Sequence, residues 1–220
     1  MKLKLIFLLL LSKSAFAQWN VGISVMPVSL MPVTNTSVFT PKNGSSYFIS
    51  ISTSYEANEH IIFESGLTYS YKKVIWADDI PDTKVSWDDS GSVRPDYTKM
   101  ELIRWTEIYS SITLPFIVNY KITLNSSSAF LLGGGIQFGY LYKRLNEFHS
   151  TTGRVDTWGN NNVQFIGGTF INLEYQSMIS KSVGVSLSSQ YSYDIYPKEG
   201  NLELSFHSVG LGVGLIIKMN

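Results

Sequence analysis

The chain carries three histidines, and one of them, His207, has a serine, Ser208, as its immediate neighbour. A histidine base beside a hydroxyl nucleophile is the chemistry of acyl transfer. Adjacent residues of a strand point to opposite faces, however, so the two share no side unless a bulge intervenes. His60 falls in a tight turn and His149 in a long connection. Each histidine reads as an interfacial or loop residue without a catalytic role. Asp78, Asp79, Asp82, Asp88 and Asp89 crowd one connection without the cadence of a calcium loop. They read as a solvated acidic loop, with weak divalent-cation binding as the sharper alternative. No cysteine is present, which removes thiol chemistry, disulfides and Cys-based metal sites. No catalytic residue, cofactor or metal site is expected. A last group is Glu64, Asn119, Lys121, Asn172, Glu174 and Lys218, which strand alternation turns to one side. Opposite charges held in a narrow lumen would pair, because an isolated ion there carries a heavy desolvation cost. The expectation is a structural salt-bridge plug, with a proton or ion path as the alternative.

The elements that position these groups are strands. Period-two alternation rich in β-branched and aromatic residues recurs over 19–32, 46–57, 60–76, 101–121, 127–147, 162–178, 181–196 and 201–218. One face of the fifth run reads Phe130, Leu132, Gly134, Ile136, Phe138, Tyr140, Tyr142, against Leu131, Gly133, Gly135, Gln137, Gly139, Lys143. In the seventh, Val183, Val185, Leu187, Tyr191 and Tyr193 stand against Gly184, Ser186, Ser188, Gln190 and Asp194. In the last, Val209, Leu211, Val213, Leu215 and Ile217 stand against Ser208, Gly210, Gly212, Gly214 and Lys218. One face is apolar and the other small or polar. Leu202, Leu204 and Phe206 break the parity of the last run, which predicts a bulge near His207 or a strand leaving the apolar layer there. Pro115 lies inside the fourth run and lacks an N–H, so a bulge is expected near it as well.

The aromatic residues sort by height. Trp19, Tyr55, Phe63, Tyr120 and Tyr175 lie at one end of the apolar face, and Tyr69, Tyr71, Tyr140, Tyr142, Phe165, Tyr191 and Tyr193 at the other. Two aromatic belts with aliphatic residues between them are what both interfaces of a membrane select. The beginning of the chain agrees: Lys2 and Lys4 precede an apolar run, Leu5 to Leu11, and Ala15-Phe16-Ala17 precedes Gln18, the pattern of a cleavable signal peptide. The reading is therefore residues 1–17 as signal peptide and 18–220 as one outer-membrane β-barrel domain. With 17 basic and 17 acidic residues in all, loss of Lys2, Lys4 and Lys13 leaves a net negative domain, which argues against nucleic acid as a partner. The even-numbered connections are short and the first, third and fifth are long, the asymmetry of barrels whose termini face the periplasm. The fold class expected is all-β: an eight-stranded antiparallel up-and-down transmembrane barrel, narrow inside and filled by side chains.

The fourth run, Ile112-Thr113-Leu114-Pro115-Phe116-Ile117-Val118-Asn119-Tyr120, and the following Phe130-Leu131-Leu132-Gly133-Gly134-Gly135 resemble the PorT-like outer membrane protein beta-barrel domain family. In that family a Leu-Pro strand ending near a Tyr precedes a Gly-rich strand. The resemblance implies an eight-stranded outer-membrane barrel behind a signal peptide, with some members serving secretion or gliding assemblies. The function expected is structural, interaction or envelope/secretion-associated, without catalysis. A narrow pore for small solutes or ions and a lipid-A-modifying interfacial enzyme stand as alternatives. Outer-membrane lipids and lipopolysaccharide are the expected partners, together with an envelope or secretion protein. Trp76, Trp87, Trp105 and Trp158, in or near long connections, would either anchor such a partner or pack the loops into a cap.

Overall fold

A computed structural model describes residues 19–34, 42–77, 86–87, 93–94, 102–150, 155–160, 163–196 and 204–219. Eight long strands carry the architecture: β1 (Trp19–Thr34), β2 (Lys42–Glu56), β3 (Ile61–Ala77), β6 (Leu102–Thr123), β7 (Ser128–Ser150), β9 (Gln164–Met178), β10 (Val183–Ile195) and β11 (Leu204–Met219). Three short ones lie between them, β4 (Ser86–Trp87), β5 (Val93–Arg94) and β8 (Val155–Asn160). Each long strand pairs antiparallel with the next long strand in the chain. The first then pairs with the last, from Trp19↔Met219 to Thr34↔Leu204. The result is a closed barrel with no free edge among its eight strands, which satisfies the backbone internally, as crossing a bilayer requires.

Three tight turns gather at the end where β1 begins, and side chains shape each of them. Asn58 Oδ1 accepts the N–H of His60 and of Ile61 at 2.9 and 2.8 Å. Asn125 Oδ1 accepts the Ser127 N–H at 2.9 Å, and Ser180 Oγ the Val183 N–H at 3.0 Å. Such side-chain mimicry of a backbone turn is what Asn and Ser contribute at these positions. At the opposite end β6 and β7 run on for 22 and 23 residues, about twice the 9–11 that a tilted strand needs to cross a bilayer. Residues 144–149 of β7, above the part that pairs with β9, pair instead with β8. The wall thus rises beyond the apolar layer on one side.

Alternation sets the two faces as expected from the sequence. Leu132, Ile171, Leu211 and Val213 all stand more than half exposed on the outside, whereas Leu131, Asn172, Gly210 and Gly212 are buried. This outer band of Ile, Val, Leu and aromatic side chains is continuous around the eight strands and marks the fold as a membrane barrel. Neither of the two expected bulges is formed. The register of β11 with both neighbours is unbroken through Phe206, His207 and Ser208, so there is no bulge. Phe206 simply faces inward and is fully buried among Leu30, Tyr109 and Tyr196, because the upper lumen is itself apolar. Nor is there a bulge at Pro115: the β3–β6 register is the same at Ser65↔Phe116 and Thr68↔Thr113, with a lapse of pairing between them. The Pro115 carbonyl accepts a bond from Ser65 Oγ at 2.9 Å. A real irregularity lies between Ser110 and Ser111 and leaves Tyr142 as the extra residue of β7.

Candidate functional site: the barrel lumen

Inward side chains divide the lumen into two storeys. The upper one is closed. Lys72 on β3 and Asp194 on β10 meet there as a buried ion pair, both side chains almost fully hidden. Gln137 Nε2 donates to the second Asp194 oxygen at 2.5 Å, and the Lys72 ammonium lies 5.2–5.8 Å from the ring centres of Phe48, Tyr196 and Phe206. A cation so placed gains from the ring quadrupoles as well as from its counter-ion. Beside it the buried Glu107 carboxylate accepts from Arg144 at 2.6 Å, from Trp76 Nε1 at 2.6 Å and from the Tyr109 hydroxyl. Three donors on one carboxylate offset the cost of taking it out of water. Met26, Val28, Leu30, Val74, Leu141 and Ile166 join the rings of Trp76, Tyr109, Tyr196 and Phe206 in a single cluster around these charges.

The lower storey is polar and only partly filled. Asn119 on β6 is fully buried and its Nδ2 donates to Glu64 Oε2 at 3.2 Å. Glu174 accepts from Gln176 Nε2 at 3.0 Å. Asn172 is buried on β9, and Gly133 lies between it and Asn119 in the sheet. Glu64, Asn172 and Glu174 line a cavity of about 80 Å³ with Met26, Phe48 and Phe170 above them. That is room for a few waters at the ~10–15 Å³ each needs, not for a solute. The salt bridges expected in this group are not made. Lys121 pairs with Glu56 at 3.0 Å, and neither Lys121 nor Lys218 pairs with Glu64 or Glu174 among the described residues. The ion pairs sit a storey higher, on Lys72, Asp194, Glu107 and Arg144, which the sequence reading did not join. Their signal was inward parity, shared by Lys72 with Glu64 and by Asp194 with Gln190. Only the sheet's closure shows which inward residues meet.

On the outer wall Trp19 packs on Tyr55 and Phe130 on Tyr175, each 5.2 Å between centroids, and Tyr120 stacks on His60. These form the lower ring. Higher up, Tyr47 lies 5.2 Å from Tyr71 and 6.1 Å from Tyr69, and Tyr140 packs on Phe165. Tyr142 and Tyr191 are also outward and exposed, and Tyr193 packs on His207. Tyr47 is a member that the sequence reading omitted, although it shares the parity of Ile49 and Ile51. Of the tryptophans, Trp76 is buried and stacks on Trp105, which stacks on Phe148. Trp158 is exposed on β8, and the Trp87 side chain lies outside the described residues.

The histidine chemistry does not assemble. His207 accepts or donates a 2.5 Å bond with the Tyr191 hydroxyl on the outer wall, while Ser208 is buried on the lumen side. His60 rests on Tyr120 in its turn, and His149, placed by the sequence in a connection, lies in the last residues of β7, paired with Val155 and 3.8 Å from Glu147. Among the described residues no three His, Cys, Asp or Glu side chains gather as a metal cluster. The acidic group Asp78, Asp79, Asp82, Asp88 and Asp89 lies outside the described residues.

No family model matches the sequence, and no curated protein matches it. Among solved structures the chain is similar to Neisserial surface protein A, at 12% identity and a TM-score of 0.44 over 92% of this chain and 99% of that one. It is similar to Ail, the attachment invasion locus protein of Yersinia pestis, seen with the heparin analogue sucrose octasulfate, at 12% identity, a TM-score of 0.37 and coverage of 91% and 99%. It is also similar to the CymD monoaromatic hydrocarbon channel, at 8% identity, a TM-score of 0.28 and coverage of 93% and 88%. Strand pairing and burial in this chain, and not these distant likenesses, define the eight-stranded membrane barrel.

Proposed function

We propose that this chain is a sealed outer-membrane barrel that acts as a structural or interaction protein of the cell envelope, without catalysis. One observation carries the reading: the upper lumen is packed shut by Trp76, Tyr109, Tyr196 and Phe206 around the ion pairs Lys72–Asp194 and Glu107–Arg144. A lumen so filled offers no route for a solute. What remains available is the wall and the rim, where β6, β7 and β8 extend beyond the apolar band and present Trp158 and Val155 to solvent. Raised, rigid strand pairs of this kind suit protein contact. The outward tyrosines and the neighbouring Lys73 and Lys143 suit contact with lipopolysaccharide. Kinship with the PorT-like family and service to a secretion or envelope assembly are part of the same proposal, supported by the Leu114-Pro115 strand and the Gly133-Gly134-Gly135 strand after it.

Planar-bilayer recording tests the seal. Wild-type protein is expected to give no resolvable steps, and Tyr196→Ala with Phe206→Ala to give stepwise current. Steady conductance from wild type overturns the reading in favour of a narrow pore. Export behind a leader is tested separately: mature protein from outer-membrane fractions should have an intact mass beginning at Gln18. Cross-linking through Trp158→Cys, followed by mass spectrometry, should return one envelope protein at stoichiometric yield.

A further inference from the structure

The lower lumen holds more oxygen acceptors than its donors satisfy. Glu64 and Glu174 face one another's cavity from β3 and β9. Each accepts from one amide, Asn119 Nδ2 and Gln176 Nε2 respectively, and from one serine hydroxyl, Ser52 and Ser186, and neither has a lysine partner among the described residues. Around them Asn20, Asn119 and Asn172 are more than nine-tenths buried, and the Oδ1 atom of each is buried without a hydrogen-bond partner. The orientation of one amide is set by its other end: Asn119 Nδ2 donates to Glu64 Oε2, so turning it over would set an oxygen against the carboxylate. Asn20 Nδ2 lies 3.3 Å from Ser54 Oγ. Asn119 Oδ1 and Asn172 Oδ1 converge over Gly133, 1.8 and 2.5 Å from the place a Cβ would occupy. Asn20 lines the adjoining space with Glu64 and Glu174. Carbonyl oxygens aimed together beside two carboxylates repel in a narrow lumen, and a cation between them turns that repulsion into attraction.

We propose that Glu64, Glu174, Asn20, Asn119 and Asn172 form a binding site for calcium. The ligand set is all oxygen, which selects a hard cation over zinc or copper. Its mixture of carboxylate and amide carbonyl groups on four separate strands suits the six to eight ligands and pliant geometry of calcium better than the strict octahedron of magnesium. The ion enters from the end of the tight turns, since the upper storey is closed. Once in place it ties β1, β3, β6 and β9 across the lumen, in addition to the Lys121–Glu56 pair that joins β6 to β2. Asp78, Asp79 and Asp82 lie outside the described residues, and the experiment separates binding there from binding in the lumen.

The test is calorimetric titration of calcium chloride into the chelator-treated, refolded barrel in a zwitterionic detergent free of lipopolysaccharide. The expected result is a saturable one-site isotherm, with a thermal midpoint that climbs with calcium as binding to the folded state requires. Glu64→Gln with Glu174→Gln keeps the shape and removes the charge, and should weaken binding at least about tenfold, since ligand charge sets calcium affinity. Asn172→Asp should tighten it. Asp78→Asn with Asp79→Asn and Asp82→Asn should leave the isotherm as it was. Absence of saturable heat, an isotherm untouched by the double glutamine variant, or one abolished by the loop variant each overturns the proposal. If the double variant does not refold, as judged by heat-modifiable gel migration, Asn172→Asp decides alone: tighter binding supports the site and unchanged binding overturns it.

Discussion

Lys72 and Asp194 show how much a single buried residue carries in this barrel. Both side chains are nearly sealed from solvent, so removing one leaves an uncompensated charge, a loss of about 3–5 kcal/mol. Asp194→Ala should lower the urea midpoint of refolded protein by a corresponding amount. Lys72→Met with Asp194→Leu should recover most of that loss, because no unpaired charge remains. Equal destabilisation in the single and double variants would show that the pair matters through something other than its charge. Gly135 makes a second point. A Cβ there would lie 2.0 Å from the Phe116 carbonyl oxygen, so Gly135→Ala forces the β6–β7 rungs apart and should cost about 1–3 kcal/mol as overpacking does, read from the same urea transition. Neither the Lys72 partnership nor the Gly135 contact was legible in the sequence. Parity turns both residues inward, but the partner of each comes from another strand and is chosen by closure of the sheet.

Among the elements, β7 has a defect with a use. The extra residue Tyr142 shifts the register opposite Ser110 and Ser111, so inward parity passes from Leu141 to Arg144 instead of Lys143. That shift places the Arg144 guanidinium on Glu107 at 2.6 Å. Deleting Tyr142 would make the β6–β7 register continuous while keeping Lys143 outward and Arg144 inward, and the protein should still fold. One alanine inserted after Gly135 has the opposite effect, turning a row of apolar side chains to the wrong face. Heat-modifiable gel migration should show folded protein for the deletion and none for the insertion. The sequence pattern located β1, β3, β6, β7, β9 and β10 to within a few residues, since alternation and turn chemistry are local. The bulge expected in β11 is not formed for an equally physical reason: the change of parity at Phe206 follows the lumen's change from polar to apolar with height.

For the molecule as a whole, solvent around the wall is the deciding term. Leu211, near the middle of β11, is nearly two-thirds exposed, and Leu211→Arg should destabilise the barrel in phospholipid by about 2–4 kcal/mol, against about 0–1 for Ile217→Arg near the lower rim. Measured by urea unfolding from vesicles, equal effects at the two depths would contradict a bilayer around this band. By itself the sequence determined that the chain forms eight alternating strands and which face is apolar. Those are properties of period two and of nearest neighbours along the chain. Only the closed structure decided which inward residues meet: Lys72 with Asp194, Glu107 with Arg144, and Lys121 with Glu56 in place of the lower glutamates. Those contacts join residues 37 to 122 positions apart, and the register and curvature of the barrel, set by every strand at once, fix which of them come within reach.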